Sequence, residues 1–251
     1  MKRSTQQRLN EISEYLILNS KATTKELAEL TGVSPEMIRK DLDVLEQHGT
    51  GIVRVHGGAE LRGDNVLPYS ARIYQNKRVK DELCRSALAY INDGDTVFID
   101  PSTTALQLGR LLKVKKNITI VTNCVELVLV AAETDHQIIL LGGEYSRSGN
   151  RTLGMFVLDA IKKMRFNVAV FGSDGLLNMN GVGTTNDDEI LVNELVMQHS
   201  GKNILMVDSN KFFLESRYTY AKYEDFDVMI TDAFPDEYRD IVKIDNIIIT
   251  G

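Results

Sequence analysis

The sequence lacks any run of eighteen apolar residues, so no segment is predicted to cross a membrane as a helix. Residues Met1 to Gln7 lead into a charged amphipathic stretch with no apolar core, which argues against a secretory signal and predicts a cytoplasmic protein. Cysteine is scarce. Cys84 and Cys124 stand far apart, outside any CxxC pair, and are expected as small apolar core residues in a reducing compartment. Internal repeats and low-complexity stretches are missing too. So is any excess of positive charge, since the formal net charge is −6. An acidic chain repels nucleic acid as a whole, which excludes a non-specific polyanion binder.

What is present suits two globular parts. The 251 residues, 43% hydrophobic and 25% charged, accommodate a small and a medium domain, each with its own core. Charge is unevenly spread. Residues 1–62 hold 9 Lys/Arg against 9 Asp/Glu, so the deficit falls entirely on the remainder, with 20 basic and 26 acidic residues. Any contact with DNA is therefore expected to be local and to use the first sixty residues.

Helical spacing begins over residues 4–19, with Leu9, Ile12 and Leu16 on one stripe. Thr23-Thr24-Lys25-Glu26 reads as a capping box opening a second helix that turns Leu27, Ala28 and Leu30 inward and stops at Gly32. Ser34-Pro35 opens a third, Ser34 as N-cap and Pro35 at the first helical position, with Ile38, Leu42 and Leu45 buried and an end near Gly49. The alternating Ile52–His56, closed by Gly57-Gly58, reads as a short hairpin or wing. Two short helices joined by Gly32-Val33-Ser34 predict a helix-turn-helix whose second helix enters the major groove. The residues off its buried stripe are Glu36, Met37, Arg39, Lys40 and Asp43. Arg39 and Lys40 are expected to reach base edges or phosphates, with Ser34 and Pro35 at the helix start and Arg54 and His56 on the wing beside the backbone. The bland alternative is a structural three-helix lobe whose Arg-Lys pair is only a solvated face.

Residues 59–76, with Gly63, Asp64, Asn65 and Pro68, read as a connector. From Asn76 the texture changes. A helical pattern on Val79, Leu83, Leu88 and Ile91 ends at Asp93-Gly94, and short apolar strands then alternate with helices. They are Thr96–Ile99, Ile118–Val121, Gln137–Leu141, Val168–Phe171, Asn203–Val207, Val228–Ile230 and Ile247–Ile249. Strands that are apolar throughout predict an α/β domain with a mostly parallel sheet covered on both faces. The expected division is 1–58 winged helix-turn-helix, 59–76 linker and 77–251 α/β domain.

Polar loops follow successive strands: Asp100 to Thr104, Thr122-Asn123, Gly142-Gly143-Glu144, Gly172 to Gly175, and Asp208 to Lys211. In a parallel sheet these line one edge, where hydroxyls, backbone amides and helix N-termini suit an anion. Lys211 is the expected counter-charge for a phosphate. Each loop alone is ordinary turn chemistry.

The run from Leu27 to Gly58, in outline GVS, then IRKDLDVLEQHG, then RVHGGA, resembles the DeoR family of bacterial transcription regulators; Met37 departs, since the family more often has Thr. FIDPSTTALQL, IVTNC, LLGG, VFGSDGL and VDSNKF resemble that family's sensor domain, so the resemblance covers nearly the whole chain. It implies a fold related to sugar-phosphate isomerases and a phosphorylated sugar or similar effector. It also implies ligand contact at Asp100, Ser102, Thr103, Thr104, Asn123, Gly143, Asp174 and Lys211. Asn193 stands where the family often has Lys.

Two other classes compete. An isomerase needs a base beside a carbonyl, and Asp174, Glu189 and Lys211 are its candidates. Yet Gly181-Val182-Gly183-Thr184-Thr185 is a poor glycine loop for that chemistry, and the sequence has no GxSxG elbow, HExxH or Walker loop. An architectural module explains the head but not the polar loops. The expectation is a non-enzymatic repressor of a carbohydrate operon, a homo-oligomer binding operator DNA and a phosphorylated effector, with no metal or cofactor.

Overall fold

A computed structural model describes residues 5–47, 52–61, 69–73, 75–147 and 149–250. The chain divides into two compact units, residues 1–77 and 78–251.

The first unit begins with α1 (Thr5–Asn19), which buries Leu9, Ile12 and Leu16 as its spacing requires. A strand not expected from the sequence follows, β1 (Lys21–Thr23), and leads directly into α2 (Thr24–Thr31). The capping box forms: Glu26 N donates to Thr23 Oγ1 at 3.1 Å, and Thr23 N donates to Glu26 Oε2 at 2.7 Å. Gly32, at φ +72°, closes the helix by donating its N–H to Ala28 O. Leu30 corrects one expectation, being 40% exposed. The buried face runs through Leu27 and Thr31, and on a 3.6-residue helix Leu30 falls on the far side of Leu27 from Thr31 and Ala28. Thr31 is tolerated inside because its hydroxyl donates to Leu27 O at 2.6 Å.

Next come α3 (Pro35–Gln47), β2 (Ile52–Val55) and β3 (Gly58–Leu61). The expected helix end at Gly49 lies outside the described residues. The three strands pair antiparallel in the order β1-β3-β2. β3 thus carries the head sheet to Leu61, into residues read from sequence as connector, because pairing with both neighbours satisfies its backbone. The core joins α1, α2 and α3 to this sheet through Leu16, Ala22, Leu27, Ile38, Leu42, Ile52 and Ala59. A short helix, α4 (Tyr69–Arg72), falls in the other described part of the expected connector.

The second unit opens with α5 (Lys77–Ala87), whose Leu83, Cys84 and Ala87 are fully buried. In chain order there follow β4 (Thr96–Ile99), α6 (Leu108–Leu111), β5 (Thr119–Thr122), α7 (Val125–Ala131), β6 (Gln137–Leu140), β7 (Glu144–Ser146) and β8 (Arg151–Leu153). Then come α8 (Met155–Ile161), β9 (Val168–Phe171), β10 (Val182–Thr184), α9 (Asp188–Gln198), β11 (Asn203–Met206), β12 (Tyr218–Ala221), β13 (Val228–Thr231) and β14 (Ile247–Ile249). Seven strands form one sheet in the order β14-β13-β11-β9-β4-β5-β6, every neighbouring pair parallel. β9 and β13 are buried at all four positions, as strands covered on both faces must be. Phe98, Phe171, Val121, Leu205 and Met229 lie in its main core, with Phe212 packed beside them. Cys84 and Cys124 are free thiols inside the unit, and burial pushes Cys84 up to about 12.

From β4 the chain builds outward through β5 and β6 on one side, then returns to lay β9, β11, β13 and β14 on the other. Strand order therefore reverses between β4 and β9. That is where the connections leaving two neighbouring strands diverge and open a crevice at their carboxyl ends. Two antiparallel ribbons, β7–β8 and β10–β12, were not expected from the sequence; both lie outside the main sheet and follow polar turns. Among the described residues no helix is long and apolar enough to cross a membrane.

Candidate functional site

In the first unit, α3 separates its two faces cleanly. Ile38, Leu42 and Leu45 are buried, while Ser34, Pro35, Glu36, Met37, Arg39 and Lys40 are exposed. Ser34 caps the helix by accepting from Met37 N at 3.3 Å. No ion pair among the described residues occupies Arg39 or Lys40, so both heads are available to an anion. The inner face carries a buried charge the sequence reading did not use. Asp41 accepts from Arg8 Nε at 2.5 Å and from Arg8 Nη2 at 2.9 Å, which ties α3 to α1 as a fork and raises the Arg8 guanidinium's pKa. On the wing, His56 is exposed in the turn, and Arg54 Nη1 donates to Asp43 Oδ1 on α3 at 2.5 Å. Arg54 N also donates to Glu46 Oε1 at 3.0 Å, so β2 is pinned against the outer flank of α3. Arg54 is thus placed beside α3 but shared with Asp43, a competition not visible in the sequence.

In the second unit, the groups past the ends of β4 and β9 form two polar networks. Asp100, just past β4, accepts from Ser102 N at 3.0 Å and from Gly172 N, just past β9, at 2.7 Å. Its carboxyl is buried, and burial pushes its pKa up to about 7 against the opposing pull of those donors. Tyr220 Oη donates to Gly172 O at 2.6 Å from the other side, and burial holds that phenol protonated as a donor. Asp174 Oδ2 accepts from Thr185 N at 2.9 Å and Thr185 Oγ1 at 2.7 Å, while Lys211 Nζ reaches Asp174 O at 3.4 Å. Thr184 hydrogen-bonds Glu189, and Glu189 Oε1 pairs with Arg151 Nη1 at 2.8 Å.

The remaining expected residues are placed as follows. Thr103 and Thr104 are buried against α5, where Lys80 Nζ donates to Thr103 Oγ1 at 3.0 Å and Cys84 Sγ donates to Thr104 O at 3.1 Å. Asn123, past β5, donates to Thr152 O at 3.0 Å; its Oδ1 is buried without a partner. Gly143 stands apart from both networks, against β8. A Cβ there would fall 2.2 Å from Leu153 O, so its glycine serves a close backbone approach. The structure therefore joins Asp100 to Ser102 in one hydrogen-bonded group and Asp174 to Lys211 and, through Thr184, to Glu189 in a second. It leaves Gly143 as a packing position. Lys80, Arg151 and Tyr220 were missed from sequence. No local motif marks them, because each reaches the site from an element distant in the chain. Among the described residues no cluster of His, Cys, Asp or Glu is placed to hold a metal.

Comparison with known proteins gives the following. Residues 8–63 match the model of the DeoR-like helix-turn-helix domain, and residues 75–233 match that of the DeoR C terminal sensor domain. The chain is 31% identical over 231 residues to the lactose phosphotransferase system repressor of Lactococcus lactis subsp. lactis, covering 90% of each chain. It is 30% identical over 231 residues to the glycerol-3-phosphate regulon repressor of Escherichia coli (strain K12), covering 91% of each. Among solved structures, ribose 5-phosphate isomerase A of Methanocaldococcus jannaschii superposes with a TM-score of 0.40 at 13% identity, over 55% of each chain. A likeness that loose carries nothing about this chain's chemistry. Two family models in tandem and relatives alike over nine-tenths of their length place this chain in the DeoR family of helix-turn-helix transcription regulators.

Proposed function

We propose that this protein is a sequence-specific repressor of a carbohydrate-catabolism operon, released from its operator by a phosphorylated sugar or related metabolite. The observation that carries the reading is the exposed set Ser34, Pro35, Glu36, Met37, Arg39 and Lys40 at the start of a helix whose opposite face is packed, in a chain that also carries a sensor domain of the same family. In this reading α3 enters the major groove. Glu36, Met37 and Arg39 meet base edges, Lys40 and the capped N-terminus at Ser34 and Pro35 meet phosphates, and Arg54 and His56 flank the backbone. Recognition of repeated half-sites ~10–10.5 base pairs apart, or a multiple, calls for a homo-oligomer in the cytoplasm.

The effector occupies the crevice between the ends of β4 and β9, against Asp100, Ser102, Asn123, Asp174 and Lys211, with Thr103, Thr104 and Gly143 shaping its walls. Ligand and operator oppose each other reciprocally, with a coupling on the order of 1–3 kcal/mol. The protein carries out no catalysis. Support comes from relatives that are named as repressors of a lactose phosphotransferase system and a glycerol-3-phosphate regulon.

The test is fluorescence anisotropy of a labelled fragment from the gene's own upstream region, titrated at two salt concentrations and then challenged with sugar phosphates and their unphosphorylated parents. Tight, salt-sensitive binding reversed only by a phosphorylated compound is expected. No binding at low salt to this or a broader genomic pool overturns the DNA half. Binding that no sugar phosphate alters overturns the sensor half.

A further inference from the structure

Arg151 is an unusual residue to find inside this unit. Its side chain is 3% exposed and lies on β8, one residue from Thr152, which exchanges hydrogen bonds with Asn123. Its resolved partner is a single carboxylate, Glu189, at 2.8 Å, and its Nε is buried with no acceptor. A buried guanidinium with one contact leaves donors unsatisfied, which is costly unless another acceptor completes the set. Beside it, Asn123 Oδ1 is a buried acceptor without a donor. An orphan donor and an orphan acceptor on segments joined by the Cys124–Arg151 bridge match a group that offers both, such as a phosphate monoester beside a hydroxyl. Gly149 makes room for the guanidinium, since a Cβ there would fall 1.5 Å from Arg151 Nη1. Glu189 also bonds Thr184, which belongs to the network around Asp174, so the pair is tied to the crevice.

We propose that Arg151 is the residue that recognises the effector's oxyanion, and that Glu189 competes with that oxyanion for the same guanidinium. This rests on the sensor reading above and sharpens it: the effector must carry a phosphoryl group able to take both edges of the guanidinium fork. Anion binding at Arg151 frees Glu189 to accept from a sugar hydroxyl, so charge and hydroxyl pattern are read together. Selectivity for the phosphorylated compound over its parent then resides at Arg151, and Glu189 sets how strong an anion is required.

The experiment is calorimetric titration of the full-length protein with glucose 6-phosphate, ribose 5-phosphate, glycerol 3-phosphate and inorganic phosphate, each sugar or polyol beside its unphosphorylated parent. The variants are Arg151→Met, Arg151→Lys and Glu189→Gln, each checked by thermal melting. Arg151→Met is expected to weaken the best phosphorylated ligand by roughly 100-fold and leave its parent's affinity within about threefold. Arg151→Lys restores part of the loss, because it keeps the charge but not the fork. Glu189→Gln, which keeps the side chain's shape, tightens inorganic phosphate by roughly three- to tenfold. If Arg151→Met keeps the preference for phosphorylated ligand, the assignment is overturned. A Glu189→Gln variant that fails to tighten phosphate overturns the competition, whatever becomes of the Arg151 variants. Wild-type protein that binds operator but none of these phosphates removes the sensor reading as well.

Discussion

The two units hold their chemistry in opposite ways. In the head, most residues assigned to DNA stand exposed on or just before one short helix, with Ile38, Leu42 and Leu45 turned the other way. In the sensor, Asp100, Asn123 and Arg151 are buried and come from three separate segments, each already held by its own partner: Gly172 N, Thr152 O and Glu189. A surface that reads a duplex must leave its donors in water until contact. A pocket that reads a small anion must already have its polar groups fixed, because a low-dielectric site strengthens each interaction only if it is pre-oriented. Burial moves Asp100 and Tyr220 far from their ordinary behaviour.

Buried charge does occur in the head, at Arg8–Asp41, and removing half of it is the severest way to break the comparison. Asp41→Ala leaves the Arg8 guanidinium uncompensated and is expected to destabilise the head by about 3–5 kcal/mol. Hydrogen exchange on the full chain checks this: amides of α1 and α3 lose protection while those of β4 and β9 keep theirs. Equal loss in both units would mean that the head does not unfold independently.

Asp100 sharpens the sensor side. Its folded pKa, near 7, lies above its unfolded value, so the folded state holds that proton over a pH range where the unfolded chain has released it. Its contribution to stability is accordingly full at low pH and declines as pH rises from about 4 to about 7, by at most about 4 kcal/mol. Asp100→Asn flattens that slope in urea melts at successive pH values and spares operator binding. An unchanged slope would place the titration elsewhere.

Arg39→Ala is the mirror experiment. Operator affinity falls by about 1–3 kcal/mol with relaxed base preference, and affinity for sugar phosphate is unchanged. Anisotropy and calorimetry on one preparation separate the two readouts. The smallest effect is local: Thr23→Ala removes the N-cap of α2 and costs about 1 kcal/mol, seen as a slight fall in the melting temperature.

The head was legible in the sequence almost residue by residue. The capping box at Thr23, the stop at Gly32 and the Ser34-Pro35 start each act within four residues, and helical periodicity assigns Ile38, Leu42 and Leu45 inward with no knowledge of the partner. Leu30 failed because two-residue differences along a helix decide exposure only once the neighbouring elements are placed. β1 failed because a three-residue strand has too little pattern to stand out, and exists only through its pairing. The same weakness hid β7, β8, β10 and β12, whereas the seven strands of the main sheet, apolar on both faces, stood out.

By itself the sequence determined the two-part organisation, the reading helix, the parallel sheet and the loops that carry Asp100, Ser102, Asp174 and Lys211, because each depends on local spacing or on short apolar runs. Only the tertiary structure decided that Asp100 is held by Gly172, that Arg54 is shared with Asp43, and that Arg151 reaches Glu189. Those contacts join residues 11 to 72 positions apart, and their energetics depend on burial, which no single segment specifies. A carboxylate in water and one sealed at a strand end carry the same letter in the sequence; what distinguishes them is the dielectric and the donors that the rest of the chain folds around them.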